Sequence, residues 1–329
     1  MAEDKRLAAL REFGAQALGT QICGLTPASS DASFRRYFRV ENADCSWILM
    51  DSPPEKEDLG QFVKVARRFA ALGLHVPEVF ACDLDAGFCL LSDLGRRPYL
   101  DELSEETVER LYGDALGALV VLQSGTYADP EFLPHYSGDL LRDEMERFPT
   151  WYLERYLGVA LSDRDARLLA TTFEGLTAQA LAQPQVWVHR DYHSRNLMVL
   201  SRHNPGILDF QDAVCGPITY DLASLLKDCY VAWPRARVIE WVKGYCQLAR
   251  ESGIHRCEDD DTFVEWFDRM GIQRHLKVAG TFARLHLRDG KSGYLADLPL
   301  TMRYLIEATA QYPDLGNLHA LLCALPEPP

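Results

Sequence analysis

VWVHRDYHSRNLMVL (186–200), followed closely by GILDFQDA (206–213), decides how this chain is read. Two apolar runs, 186–188 and 197–200, bracket a polar loop, and short apolar runs bounded by turn residues read as buried strands. The loop carries His189-Arg190-Asp191 and, five positions after the aspartate, Asn196. A further apolar pair, Ile207-Leu208, ends on Asp209-Phe210. In one reading Asp191 and Asp209 merely cap turns of a β-meander with His189 packed beneath them. In the other the polar residues act as a set.

The spacing favours the set. H-R-D-x-x-x-x-N followed by an Asp-Phe turn is the arrangement used for phosphoryl transfer. A hydroxyl attacking a γ-phosphate needs a carboxylate to orient it and accept its proton, a role that suits Asp191. The phosphates need Mg²⁺, which prefers hard oxygen ligands such as the amide carbonyl of Asn196 and the carboxylate of Asp209.

The chain has 329 residues, 47% hydrophobic and 25% charged, enough for two lobes of ordinary globular composition. Its formal charge is −14 and it has no basic run, which disfavours nucleic acid or an anionic membrane as a partner. No apolar stretch is long enough to span a bilayer. The opening MAEDKRLAALREFG has the pattern of an amphipathic helix without a signal-peptide core, so a cytoplasmic protein is expected. Nine cysteines without a C-x-x-C pair suit reduced, buried thiols better than zinc or redox chemistry. Acidity would help a cationic substrate.

Strands are expected over 34–40, 47–50, 79–82 and 88–92, with helices over 3–19 and 55–72. From residue 101 the pattern turns to long helices, at 104–123, 140–157, 162–181 and again from 220. The fold class is therefore α+β and bilobal: a small antiparallel-sheet nucleotide-binding lobe over 1–92, a hinge near 91–96, and a larger, mainly helical catalytic lobe over 93–329.

On HRDYHSRN (189–196), LDFQDA (208–213) and GPITYDLASLLKDCY (216–230), the chain resembles the aminoglycoside phosphotransferase/choline kinase family, a small-molecule branch of the protein-kinase-like fold. The resemblance runs from about residue 29 to about 312 and implies an ATP- and Mg²⁺-dependent transfer. The activation segment ending in A-P-E that protein kinases carry is missing, so no protein substrate is expected. SDASFRRYFRV, ILMDSPPEKED, VPEVFACD, LLSDLG and EMERFPTWYLERYLG are similar to the bacterial anomeric sugar kinases of cell-wall recycling. That narrower resemblance implies N-acetylmuramate and N-acetylglucosamine as acceptors. The residues themselves reach only a kinase of a small hydroxylated molecule, and leave open an aminoglycoside phosphotransferase, a choline- or homoserine-type kinase, or a pseudokinase-like binding module.

Two departures from the family concern the nucleotide. The strand that usually bears a phosphate-pairing lysine has Met50 there, and no glycine lies between Ala28 and Arg36. Backbone amides and hydroxyls around Ser30 and Ser33 can form an anion-binding nest, with Arg35, Arg36 or Lys56 as the source of charge. At the hinge, the Ser92 carbonyl and Leu94 amide are expected on the adenine edge.

For the acceptor, Glu144, Arg147 and Trp151 are spaced to share one helix face. That face offers a carboxylate beside a ring, a common arrangement for sugars, although a core stripe looks the same. His193 either touches substrate or bonds a backbone carbonyl. Asp212 either faces the sugar or caps its turn. Asp221 is expected to cap the helix that follows it and tie that helix to the catalytic loop.

Overall fold

A computed structural model describes residues 5–28, 34–42 and 45–327. The chain forms two compact units, Met1–Ala115 with Arg195–Asp212, and Leu116–Ser194 with Ala213–Pro329.

In the first unit, α1 (Lys5–Leu18) is followed by β1 (Thr26–Pro27), β2 (Arg36–Glu41), β3 (Ser46–Asp51), α2 (Leu59–Ala71), β4 (Val79–Asp83) and β5 (Phe88–Ser92). The strands make one antiparallel sheet in the order β1-β2-β3-β5-β4. Alternation along β2, β3 and β5 sends Val40, Leu49, Phe88 and Leu90 into one core with Leu10 of α1 and Ile22. α2 starts at Asp58, whose carboxylate accepts from the Gln61 amide at 3.0 Å. Its buried face carries Leu59, Phe62, Val63, Ala66 and Phe69 at helical spacing.

The same unit contains the motif's far end. Leu197–Met198 pairs with Gly206–Ile207, and the ladder continues through the Leu208 amide to the Asn196 carbonyl at 2.9 Å. This pairing puts Asn196 and Asp209 at one end of the hairpin. The Asn204 side chain holds the turn, donating to Tyr99 Oη at 2.7 Å in α3 (Tyr99–Glu102) and to Asp114 at 2.8 Å. Phe210 stacks on Phe62 of α2, 5.0 Å between centroids, so an apolar ring anchors the residue beside Asp209.

α4 (Val108–Ala128) leads into the second unit, built from α5 (Gly138–Met145), a π-helix over Phe148–Tyr156, α6 (Asp163–Ala182), α7 (Tyr220–Leu226), α8 (Arg235–Glu251), α9 (Asp260–Asp289), α10 (Leu298–Thr309) and α11 (Gly316–Cys323). Its core gathers Met145, Phe148, Leu153, Phe173, Ile272, Leu276, Ala283, Leu305 and Leu318. A two-stranded antiparallel ladder, Gln185–Val188 with Val214–Pro217, leads into the His189–Ser194 loop. Trp187 on that strand is fully buried against Phe132, 5.2 Å between centroids.

The helix expected over 140–157 is two elements, because the backbone after Met145 widens into the π-helix. α9 packs tightly against that junction. A Cβ on Gly280 would lie 2.2 Å from the Arg147 carbonyl carbon and 2.4 Å from its oxygen. Backbone atoms cannot swing aside as a side-chain end can. Gly280→Ala should therefore destabilise the protein by an amount at or above the upper end of about 1–3 kcal/mol, read from its urea-unfolding midpoint. Among the described residues, no helix is long and apolar enough to cross a membrane.

Candidate active site

The strand Gln185–Val188 ends at His189, and the chain then turns sharply. Arg190 adopts φ +78°, a left-handed conformation that a side-chain-bearing residue enters only when its surroundings impose it. The constraint comes from two buried carboxylates. Asp221, in the first turn of α7, accepts the His189 amide at 2.6 Å and the Arg190 amide at 3.0 Å. Asp228 accepts the Ser194 amide at 2.9 Å and the Tyr230 amide at 3.2 Å. The loop holding Asp191 is thus fixed at both ends by backbone donors. Burial pushes the Asp221 carboxyl up to about 7, against the pull of the two amides. Asp221 ties the loop as expected but does not cap α7. The residue at the cap position is Thr219, and its side chain makes no cap bond.

Asp191 has a different environment. Burial pushes its carboxyl up, but Lys277, then His193, Arg274 and Arg190, outweigh burial and hold it at about 2. It is therefore a carboxylate at neutral pH, an acceptor for a hydroxyl proton with little tendency to keep it. His193 donates its amide to the Asp191 carbonyl at 3.1 Å and sets its ring edge on Tyr230, 5.4 Å between centroids.

Glu144, expected to bond sugar hydroxyls, has no exposed surface. One oxygen accepts Arg190 Nη2 at 2.6 Å and Lys277 Nζ at 3.0 Å; the other takes a short hydrogen bond from Tyr136 Oη and one from Gln273 at 3.4 Å. Lys277 also donates to Tyr220 Oη at 2.9 Å. With both oxygens engaged, Glu144 anchors the two cations that set the charge around Asp191 instead of touching substrate. Trp151 does not share its surroundings. It packs at the edge of the helical core with the Arg155 guanidinium 4.1 Å over its ring, because the π-helix abolishes the α-helical spacing that joined them.

In the first unit, Asn196 Nδ2 lies 3.5 Å from Asp209 Oδ2, and Gln211 Nε2 donates to Asp209 Oδ1 at 2.9 Å. Asp209 is left-handed at φ +63°, a second strained position at a candidate site residue. Asp212 is exposed. Ser30 and Ser33 lie outside the described residues. Ser92 closes β5, with its amide on the Glu78 carbonyl and its Oγ accepting the Glu78 amide at 2.8 Å; Leu94 is buried. Between them, Asp93 is held by Arg39, Nη2 to Oδ1 being 2.9 Å.

Met50, at the expected lysine position, is fully buried between Tyr37 and Cys89. The cations proposed as replacements have internal partners: Arg35 with Glu57 at 2.8 Å, Arg36 with Asp51 at 2.5 Å. Lys56 lies 5.4 Å from the centroid of the Phe34 ring.

Sequence reading missed Arg274 and Lys277. Their one signal was two cations three residues apart on one helix. His275 between them is a core residue: it bonds the Lys227 carbonyl at 2.9 Å, stacks on Tyr304 at 5.0 Å, and is driven down to about 3, chiefly by burial.

The profile of the phosphotransferase enzyme family matches residues 24–259. A Pseudomonas aeruginosa protein named N-acetylmuramate/N-acetylglucosamine kinase is 49% identical over 303 residues, spanning 92% of this chain and 89% of that one. One of the same name from Pseudomonas putida is 46% identical over 301 residues, spanning 92% and 88%. Among solved structures, a choline kinase of Streptococcus pneumoniae superposes with a TM-score of 0.64 at 11% identity, covering 93% of this chain and 99% of that one. That likeness shows the α+β, protein-kinase-like fold expected from the sequence.

Proposed function

The chain belongs to the phosphotransferase enzyme family, and from that premise we propose that it transfers the γ-phosphoryl group of ATP to the anomeric hydroxyl of N-acetylmuramate, and of N-acetylglucosamine, as a step of cell-wall recycling. The observation that carries this reading is the Asp191 carboxylate, kept ionised by Lys277 and its neighbouring cations in a loop whose amides are bound by Asp221 and Asp228. The names of the two Pseudomonas relatives support the choice of sugars. Asp191 orients the attacking hydroxyl and accepts its proton as the phosphoryl bond forms, so that catalysis is mostly positioning. The lobes 1–92 and 93–329 would divide nucleotide binding from catalysis. Ser30 and Ser33 would serve the phosphates, Ser92 and Leu94 the adenine edge, and His193 and Asp212 the acceptor. ATP as donor, together with nine free thiols, supports a cytoplasmic setting.

Asn196 and Asp209 are the residues that would hold Mg²⁺. Their chemistry fits it: the side chains lie 3.5 Å apart, Nδ2 to Oδ2, and offer an amide oxygen and a carboxylate as hard ligands. Among the described residues, no group of three or more His, Cys, Asp or Glu could hold a metal. Such a sparse set suits an ion that completes its shell with phosphate oxygens and water. The chemistry supplied there would be neutralisation of phosphate charge. Asp209→Ala should lose Mg²⁺-dependent nucleotide binding more completely than Asn196→Ala, since only the carboxylate offsets charge. Titrating nucleotide with and without Mg²⁺ checks this, and an Asp209→Ala variant binding MgATP as well as wild type would make the turn structural.

The substrate assignment is tested by incubating the protein with MgATP and N-acetylmuramate. The expected product is negative in a reducing-sugar assay and carries acid-labile phosphate. A reducing product phosphorylated elsewhere on the ring would refute the anomeric position. Efficient turnover of kanamycin-type compounds would overturn the sugar assignment.

A further inference from the structure

Among the described residues, α9 carries cations that no carboxylate pairs with directly; Arg274, one of them, lies in the field of Asp191 and Asp228. Lys277 is matched by Glu144, and Arg269 by Asp314 and Glu265. Arg284 and Arg147 are not matched. Arg147, the residue before the π-helix, donates Nη1 to Thr281 Oγ1 at 3.3 Å, and among the described residues neither arginine forms an ion pair with a carboxylate. Arg284 is half-buried, and its Nε is enclosed without a hydrogen-bond partner among the described residues. Burial, then Arg147 and Arg288, drive its guanidinium below the ordinary arginine value. Asp289 pulls the other way, but is itself held by Arg288 at 2.7 and 2.8 Å.

Two guanidiniums brought together at partly buried positions repel each other unless an anion joins them, and such cations in folded proteins are ordinarily paired. The arrangement is nonetheless firmly built. The Arg147 backbone rests on Gly280 too closely to admit a methyl group. A π-helix, rare and frequent at functional sites, begins at the next residue.

Their position says which anion. Lys277, Thr281 and Arg284 follow one another by four and three residues, so they lie on one face of α9. That face begins with the cation that dominates the field at Asp191. Seven residues of helix advance about 10 Å, the scale of a sugar ring bearing a short acid substituent. We propose that Arg147 and Arg284 form the subsite for the lactyl carboxylate that distinguishes N-acetylmuramate from N-acetylglucosamine. This rests on the sugar-kinase reading above. A guanidinium suits the task because its fork donates two parallel hydrogen bonds to a carboxylate.

The test is steady-state kinetics on N-acetylmuramate, its uncharged methyl ester and N-acetylglucosamine, with wild type, Arg284→Gln, Arg147→Gln and Arg284→Lys. Loss of a charge-assisted pair should lower the ratio of kcat/KM for N-acetylmuramate over N-acetylglucosamine by roughly 10- to 100-fold in either glutamine variant. The fall should appear mainly in KM, and the preference for acid over ester should collapse. Arg284→Lys should restore part of both. Equal losses on all three sugars, or an unchanged ratio in both glutamine variants, would overturn the subsite while leaving the kinase reading intact. A wild-type protein that phosphorylates neither sugar overturns both together. Should Arg284→Gln fail to fold, Arg147→Gln reads the same ratio.

Discussion

Asp191→Asn is expected to lower kcat by about 10²–10⁴ while nucleotide affinity changes no more than a few-fold. The amide keeps the shape of the carboxylate and its place in a loop fixed by Asp221 and Asp228, so geometry is preserved. What it loses is the ability to accept a proton from the incoming hydroxyl. The carboxyl of Asp191 sits at about 2, where Lys277, His193, Arg274 and Arg190 overcome the effect of burial. A group this acidic is a poor resting place for a proton at neutral pH, so its contribution lies in orientation and in accepting the proton late. The loss in Asp191→Asn should accordingly be nearly constant between pH 6 and 9, since Asp191 stays ionised throughout. Single-turnover and steady-state rates across that range check the prediction. Turnover within a factor of a few of wild type would transfer the role to another carboxylate.

Glu144→Ala should cost about 3–5 kcal/mol of stability, because it strands the Arg190 and Lys277 charges without their counter-charge. The pH dependence has a definite sign. Burial pushes the Glu144 carboxyl up, but Lys277, Arg190 and the Tyr136 hydroxyl bring it down to about 2, below the ordinary value of 4.5. A group depressed in the folded state stabilises fully above its unfolded value and loses that contribution as pH falls through its folded value. Wild type should therefore lose this stability between about pH 4.5 and pH 2, and the variant should lack that component. Urea unfolding at pH 7, 4 and 3 measures both. A cost below about 1 kcal/mol at pH 7 would mean that water reaches the cluster. The variant should also be slow, since its two freed cations are those that set the charge around Asp191.

The candidate motif was legible in the sequence because its residues lie close along the chain. Asn196 and Asp209 flank one short hairpin, so strand pairing within the first unit suffices to relate them. The sheet of the first unit was legible as short apolar runs bounded by turn residues, β5 being buried on both faces. Helices α1 and α2 announced themselves by apolar spacing, although α2 begins at Leu59, after the Asp58 cap, and not at 55.

Other assignments needed the tertiary structure, and each for a physical reason. A π-helix has no residue signature of its own, and the widened turn after Met145 sends Glu144 and Trp151 into different surroundings. The sequence by itself determined the α+β fold and set out His189–Asn196 and Asp209 as the candidate phosphoryl-transfer residues. Only the tertiary structure decided that Glu144 is an internal counter-ion, that Asp221 binds loop amides in place of capping its helix, and that Arg274 and Lys277 hold Asp191 ionised. Those pairings join residues 31 to 133 positions apart, and electrostatic energy depends on distance in space, which no pattern along the chain encodes.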